Sequence, residues 1–380
     1  MSSGLPRAAG RSTAAIDLAA LAENFARLRV RAGGRALIAV VKADAYGHGA
    51  EDVVRRLVRE GCECFAVAFV AEAAAVRRAG LGAPLLLLGG VGGPAEAREA
   101  IALDARPVVH DAAQVAWLEQ AARALGARAR LHVEIDTGMR RLGVAAEAAP
   151  ALLARIAASP HLALEGASTH FARAEEEDLA PTRAQLASFR AALAAARAAG
   201  VDPGRVHVAN SAGLLAAGLA GDDLLEGDAV RPGLALYGVA PAPHLADPGL
   251  KPVMTLRTEV AAVRPVAAGE GVGYGHAWRA PGSGWVATLP IGYADGVPWS
   301  GARHGGVALG GVRRPLAGRV SMDCLTVWTG GEPARVGEEA VVFGAGDAAA
   351  RVEDWADAAG TIPYELLVRV GARVPRVLRG

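Results

Sequence analysis

Cysteine is scarce: Cys62, Cys64 and Cys324 are the only three in 380 residues. An odd number without zinc-type spacing argues against a disulfide scaffold and for a reducing compartment. Aromatic residues make up 4% of the chain, so each tyrosine stands out. Neither sign of charge is in excess, with 40 Lys+Arg against 39 Asp+Glu, which argues against disorder and against a counterion-releasing nucleic-acid surface. No apolar run approaches the roughly 20 residues of a membrane span, and the opening MSSGLPRAAGRSTAAID has no signal-type apolar core. The expectation is a soluble, cytoplasmic protein with a small-molecule client. At 52% apolar and 21% charged residues, the composition suits one large α/β domain plus a smaller one.

From Asp17 onward, helical and extended periods alternate. Leu18, Leu21, Phe25 and Leu28 recur at helical spacing, ALIAVV follows as an apolar run, and Val53, Val54, Leu57 and Val58 mark the next helix face. CFAVAFV, PLLLLGG, RPVVH, RLHVEID, LALEGASTH, RVHVAN and DAVRPG continue the series, separated by Ala-rich stretches of crossover length. Eight such units predict an α/β fold, a closed (β/α)8 TIM-type barrel, with its chemistry at the C-terminal ends of the strands. Lys42, Asp136, His170, Asn210 and Arg231 fall at those ends. Past Leu250 the period becomes two, with Met254, Leu256, Thr258 and Val260 alternating with polar neighbours and Gly-rich turns following. The expected organisation is an N-terminal tail or strand (1–16) packing on the C-terminal domain, a barrel (17–248) and a mostly β domain (249–380). The boundary lies in VAPAPHLADPGLKP.

A lysine closing a buried strand is commonly a residue whose charged end snorkels to solvent. Partial desolvation also lets such an amine react with carbonyls as a nucleophile. Tyr46, Gly47 and Gly49, just beyond it, offer a hydroxyl and close backbone approach for an anion.

VVKADAYGHG around Lys42 resembles the cofactor-lysine motif of bacterial alanine racemases. DTGMRRLG, STHFA, HVANSAG, RPGLALYG, LKPVMTL, the segment around Tyr274, LPIGYADG, GRVSMD, TIPYE and RVPR resemble that family's other signatures, in order, across nearly the whole chain. The resemblance implies a pyridoxal 5'-phosphate enzyme interconverting L- and D-alanine, a homodimer with shared active sites, supplying D-alanine for cell-wall peptidoglycan. By position, Lys42 matches the residue that binds the cofactor covalently. Tyr46, Ser211 and Tyr364 match phosphate ligands, and Gly233 and Leu234 match backbone donors to the phosphate. Arg231 matches the partner of the pyridine nitrogen, His170 matches the histidine beside the ring, and Asn210 is a further expected cofactor-binding residue. Arg141 matches the residue reaching the cofactor's phenolic oxygen and the substrate carboxylate. Tyr274 matches the second acid/base, contributed with Met322 by the partner subunit, and Tyr293 matches a residue of the substrate entrance.

Two positions depart from the family pattern, Glu134 and Arg140, the latter standing where a small or polar residue is common. The lysine often found seven residues before the Arg141 position, where it can be carbamylated, is Glu134 here. A glutamate supplies the negative charge on a shorter side chain, so Glu134 is expected to orient Arg141 through water or a local shift. Arg140 receives no role.

Three other readings stay open on residues alone. Gly90, Gly92 and Ala95 fit a dinucleotide-binding spacing with Asp111 downstream, although Pro94 interrupts the loop. His48, Asp136 and His170 are candidate ligands of a metallohydrolase, without short paired spacing; no metal is expected. A noncatalytic pyridoxal-phosphate carrier needs Lys42 and the phosphate ligands alone, and leaves Tyr274 and Met322 without purpose. Within the racemase reading, serine or a broader amino-acid range competes with alanine.

Overall fold

All eight apolar runs form parallel strands of one closed barrel, in a computed structural model that describes residues 11–220, 224–303 and 305–380. Numbering after β1 (Thr13–Asp17), the barrel strands are β2 (Ala36–Val40), β3 (Cys64–Val67), β4 (Leu85–Leu87), β5 (Ala105–Val109), β6 (Ala129–Asp136), β8 (Leu162–Ser168), β9 (Arg205–Asn210) and β10 (Ala229–Arg231). A short β7 (Val144–Ala145) pairs with the end of β6. Closure comes from β10, which pairs with both β9 and β2. These strands read as continuous apolar runs because a parallel barrel strand is covered on both faces, by the barrel interior and by the surrounding helices.

The first helix, Leu18–Arg31, shows how the outer ring is set. Asp17 caps it, its carboxylate accepting from Ala20 N–H at 2.8 Å, and Leu21, Phe25 and Leu28 are buried along one stripe. Its other face holds the Pro-rich linker. Asp247 Oδ2 accepts from Arg27 Nε at 2.7 Å and Arg31 Nε at 2.9 Å. Asn24 Nδ2 donates to the carbonyls of Leu236 and Lys251 at 3.0 and 2.8 Å. Gly238, with φ 75°, passes so close to Lys251 that a Cβ would lie 1.8 Å from its carbonyl oxygen. Only glycine fits there.

The remaining strands are β11 (Met254–Glu259), β12 (Ala262–Val266), β13 (Gly271–Val272), β14 (Trp278–Arg279), β15 (Gly284–Leu289), β16 (Gly306–Leu309), β17 (Val312–Pro315), β18 (Leu325–Gly330), β19 (Glu339–Phe343) and β20 (Arg376–Arg379). Buried and half-buried residues alternate along β11 and β18, as one-sided strands require. The larger sheet runs β17-β16-β19-β11-β1-β20. Strand β1 therefore lies inside it, antiparallel to β11 and parallel to β20. Two helices, Val352–Ala359 and Pro363–Arg369, precede β20; the second packs against the turn that follows Lys42.

Candidate active site

The chain leaves β2 through a turn of unusual hand. Ala43, Asp44, Ala45 and Tyr46 have φ of 51–55°, the left-handed helical region, where each residue bearing a Cβ costs roughly 1–2 kcal/mol. Such a run persists only where its surroundings over-determine it. Ala45 N–H donates to Val41 O at 2.9 Å, Ala43 N–H to Glu72 Oε1 at 2.7 Å and Ala50 N–H to Asp44 Oδ1 at 2.7 Å. Beneath the turn, the buried His48 stacks on Tyr237 with ring centres 4.4 Å apart, and its Nδ1 meets the carbonyls of Ala45 and Tyr46 at 2.9 and 3.0 Å. Burial brings the His48 pKa down to about 4. The ring is therefore neutral near pH 7, and Nδ1 carries its proton toward those carbonyls.

Lys42 itself is partly buried. Desolvation lowers its ammonium pKa, Arg141 and Arg231 push the same way, and Glu72 opposes them. More of the amine is thus neutral at a given pH than in water. His170 shares this cationic rim. Burial, with Arg231, Arg141 and Lys42 beside it, drives its pKa down to about 3, so it too is neutral. Asn210 Nδ2 lies 3.5 Å from His170 Nε2.

Arg231, at the end of β10, is 4% exposed. Its Nη1 meets His207 Nδ1 at 2.6 Å and His207 O at 2.5 Å, and its Nη2 donates to Thr169 O at 2.7 Å. A guanidinium has donors only, so His207 Nδ1 accepts and its proton sits on Nε2. That proton points at His132 Nδ1, 2.9 Å away. Burial pushes the His132 pKa to about 3 and that of His207 well below its ordinary value. Two neutral imidazoles therefore brace one buried cation. Gly166, on the intervening β8, makes room for them, since a Cβ there would fall 2.3 Å from His132 Nδ1.

Just beyond β9 and β10, backbone and hydroxyl groups converge. Ser211 Oγ accepts from Gly233 N–H at 2.9 Å and Ala235 N–H at 3.2 Å, at the start of the 3-10 turn Leu234–Tyr237. A Cβ on Gly233 would come within 2.4 Å of the Tyr46 hydroxyl, and the Tyr46 and Tyr364 rings lie 6.1 Å apart. Desolvation raises both phenols, Tyr364 to about 12, so both remain hydrogen-bond donors. This cradle suits a phosphate, for which hydroxyls and backbone amides are fixed donors. The residues fit pyridoxal phosphate: Lys42 for its aldehyde, the Ser211–Gly233–Tyr46–Tyr364 group for its phosphate, and Arg231, a donor without acceptor capacity, for its ring nitrogen.

On β6, the Glu134 carboxylate accepts from Ser168 Oγ at 2.5 Å and raises the pKa of Arg231 against the effect of burial. Asp136 binds its own loop, accepting from Gly138 N–H at 2.9 Å and Arg140 N–H at 3.1 Å. Burial tends to raise the pKa of Asp136, and those two bonds with the Arg140 guanidinium bring it net below the usual value. Arg140 thus shapes the loop carrying Arg141, whose exposed side chain lies close enough to Lys42 and His170 to depress both.

Tyr274, Met322 and Tyr293 lie in the second domain and are 70%, 53% and 45% exposed. Their connections run among themselves and their neighbours. Ala294 N–H donates to Met322 O at 3.1 Å, Arg373 Nε donates to Asp295 Oδ1 at 2.6 Å, and Gly275 faces the Arg319 guanidinium. The dinucleotide spacing has a different explanation. Gly92 N–H is taken by Glu96 Oε2 at 2.7 Å, which puts a carboxylate where a pyrophosphate would bind. His48 is committed to its own turn, apart from the Asp136 loop. Sequence reasoning passed over Glu72, His132 and His207. For the histidine pair, a usable signal was a glycine on the strand between two that carry histidine.

Two family models match the chain: the alanine racemase N-terminal domain over residues 16–241 and the alanine racemase C-terminal domain over residues 253–378. An alanine racemase of Streptomyces coelicolor is 43% identical over 97% of this chain and 95% of its own length. The crystal structure of alanine racemase from D-cycloserine-producing Streptomyces lavendulae superposes with a TM-score of 0.93 at 40% identity, covering 98% of each chain. That from Bacillus anthracis, solved with bound L-Ala-P, gives 0.87 at 32% identity, covering 99% of this chain and 96% of its own. A parallel barrel with a partly desolvated lysine at its rim, followed by this β domain, together with the families it matches, defines the class of pyridoxal-phosphate-dependent isomerases. Within that class, the chain belongs to the alanine racemase family.

Proposed function

We propose that this chain interconverts L- and D-alanine with pyridoxal 5'-phosphate held on Lys42, as a cytoplasmic homodimer that supplies D-alanine for peptidoglycan. The observation that carries the reading is the placement of Lys42: partly desolvated at the end of β2, between the cations Arg141 and Arg231, with Glu72 opposing them. When bound, the cofactor offers a carbonyl to the substrate amine and a conjugated ring that stabilises negative charge developing at Cα.

The chain's own residues supply the rest. Inverting one carbon requires a proton to leave one face and another to arrive on the opposite face, which a single immobile base cannot do. Lys42 serves one face. Tyr274 serves the other, from the partner subunit, because in its own chain it is presented outward at 70% exposure. Arg141 and the Met322 backbone N–H bind the substrate carboxylate, and Tyr293 lines the entrance. Asn210 meets His170 at the ring position. Glu134 balances the positive rim through Ser168 and orients Arg141 without bicarbonate.

The purified protein, supplied with the cofactor and L-alanine in deuterated water, is expected to yield both enantiomers labelled at Cα. Serine and larger amino acids should exchange more slowly. Absence of Cα exchange with alanine in the presence of pyridoxal phosphate would refute the reading.

A further inference from the structure

The left-handed turn after Lys42 is braced from a distant part of the chain. Arg376, the first residue of β20, donates from Nε to Gly47 O at 2.9 Å. Its other nitrogens are committed to carbonyls of the preceding loop: Nη1 to Gly371 at 2.8 Å and Val374 at 2.9 Å, and Nη2 to Val370 at 2.7 Å. The same loop is tied down by strand pairing, with Arg376 level with Ala14 of β1. Gly47, at φ 80°, also lies so close to the Pro363–Arg369 helix that a Cβ would stand 2.4 Å from Leu367 O. Four acceptors around one planar, five-donor group make a rigid strut. It runs from the second domain to the residue directly after Tyr46, where the left-handed stretch ends.

We propose that Arg376 is a positioning residue for the cofactor site: by holding Gly47 O it keeps Ala43–Tyr46 left-handed and so fixes both Lys42 and the Tyr46 hydroxyl relative to the Ser211–Gly233 cradle. Ala43, Ala45 and Tyr46 have no preference for positive φ, and without an external brace the stretch relaxes toward the right-handed region. Relaxation displaces Tyr46 from Gly233. A lysine at 376 lacks the fork needed to reach carbonyls on both sides at once.

This inference rests on the proposed cofactor, and its test carries a readout that does not. In the holoenzyme, Arg376→Ala is expected to raise the dissociation constant for pyridoxal phosphate about ten-fold, and to speed amide exchange at residues 43–47 by a similar factor, while the thermal midpoint shows a folded protein; Arg376→Lys should fall between. The decisive variant is Ala43→Gly in the Arg376→Ala background. Glycine removes the penalty for positive φ at an exposed position, so it should recover at least three-fold in cofactor affinity, which a merely structural role for Arg376 does not predict. A folded Arg376→Ala or Arg376→Lys protein with unchanged cofactor affinity and unchanged exchange at 43–47 overturns the inference, as does a double variant no better than Arg376→Ala alone. If the unaltered protein takes up no pyridoxal phosphate, the proposed function fails instead, and exchange at 43–47 alone decides the role of Arg376.

Discussion

The barrel rim and the outer loops of the second domain handle their polar and aromatic residues in opposite ways. At the rim, Arg231 is 4% exposed and backed by two neutral histidines, and Tyr46 is packed against Gly233 and Tyr364. In the second domain, Tyr274, Trp299, Met322 and Tyr293 are left 45–70% uncovered. The rim groups pack on one another within one chain, whereas the loop groups are left largely open by the described residues. The contrast fits the proposed homodimer, in which each chain supplies one half of a site and borrows the other for a reaction that needs proton donors on two faces of one carbon.

The largest effect expected from breaking this division is at Lys42. Lys42→Ala should reduce racemisation to background and abolish the borohydride-reducible visible absorbance of the cofactor-loaded protein. Tyr274→Phe should keep that absorbance and lower kcat roughly 10²–10⁴-fold. Mixing the two inactive variants and letting subunits exchange then sharpens the comparison, because shared sites regenerate one intact site per mixed dimer and recover about a quarter of wild-type activity. No recovery, with mixed dimers confirmed by native mass spectrometry, would place both residues in the same chain's site.

A smaller effect is expected at the rim's own anion. Glu134→Gln should lower kcat/KM about ten-fold, the order of a hydrogen bond to a charged group, with little change in thermal midpoint and no rescue by bicarbonate. Unchanged kinetics at every bicarbonate level would remove Glu134 from the site. The smallest effect concerns the linker joining the two regions. Arg27, hydrogen-bonded to Asp247, brings that carboxyl from its usual 3.8 to about 2 against the opposing effect of burial, with Gly249 N–H and Arg31 acting in the same direction as Arg27. A depressed carboxylate pKa means stability that is present above about pH 4 and lost as pH falls toward 2. Asp247→Asn should cost about 1–3 kcal/mol at neutral pH and flatten that acid limb, as urea midpoints across pH would show.

Much of the rim is legible in the sequence, for a specific reason. Parallel strands in a barrel all end on one side, so Lys42, His170, Asn210 and Arg231 declare a common location once the alternation of strand and helix is read. The hand of the turn after Lys42 was not legible. Local propensity places alanine and tyrosine in right-handed or extended backbone, and the contacts that reverse this come from Glu72 and Arg376. The bracing of Arg231 was hidden for a similar reason: His132 and His207 sit within strands, and only the pairing of β6, β8 and β9 brings them together around Gly166. Glu134 was visible as a departure from the family pattern, while its hydrogen bond to Ser168 depended on strand register.

The 329 positions between Gly47 and Arg376 also set a schedule for biosynthesis. At ribosomal speeds of about 5–20 residues per second, the lysine emerges roughly 15–65 s before the arginine that steadies its turn. A nascent chain can close its barrel in that interval and still hold an unset lysine, so competence to retain the vitamin B6 derivative should appear only as the last strand is released.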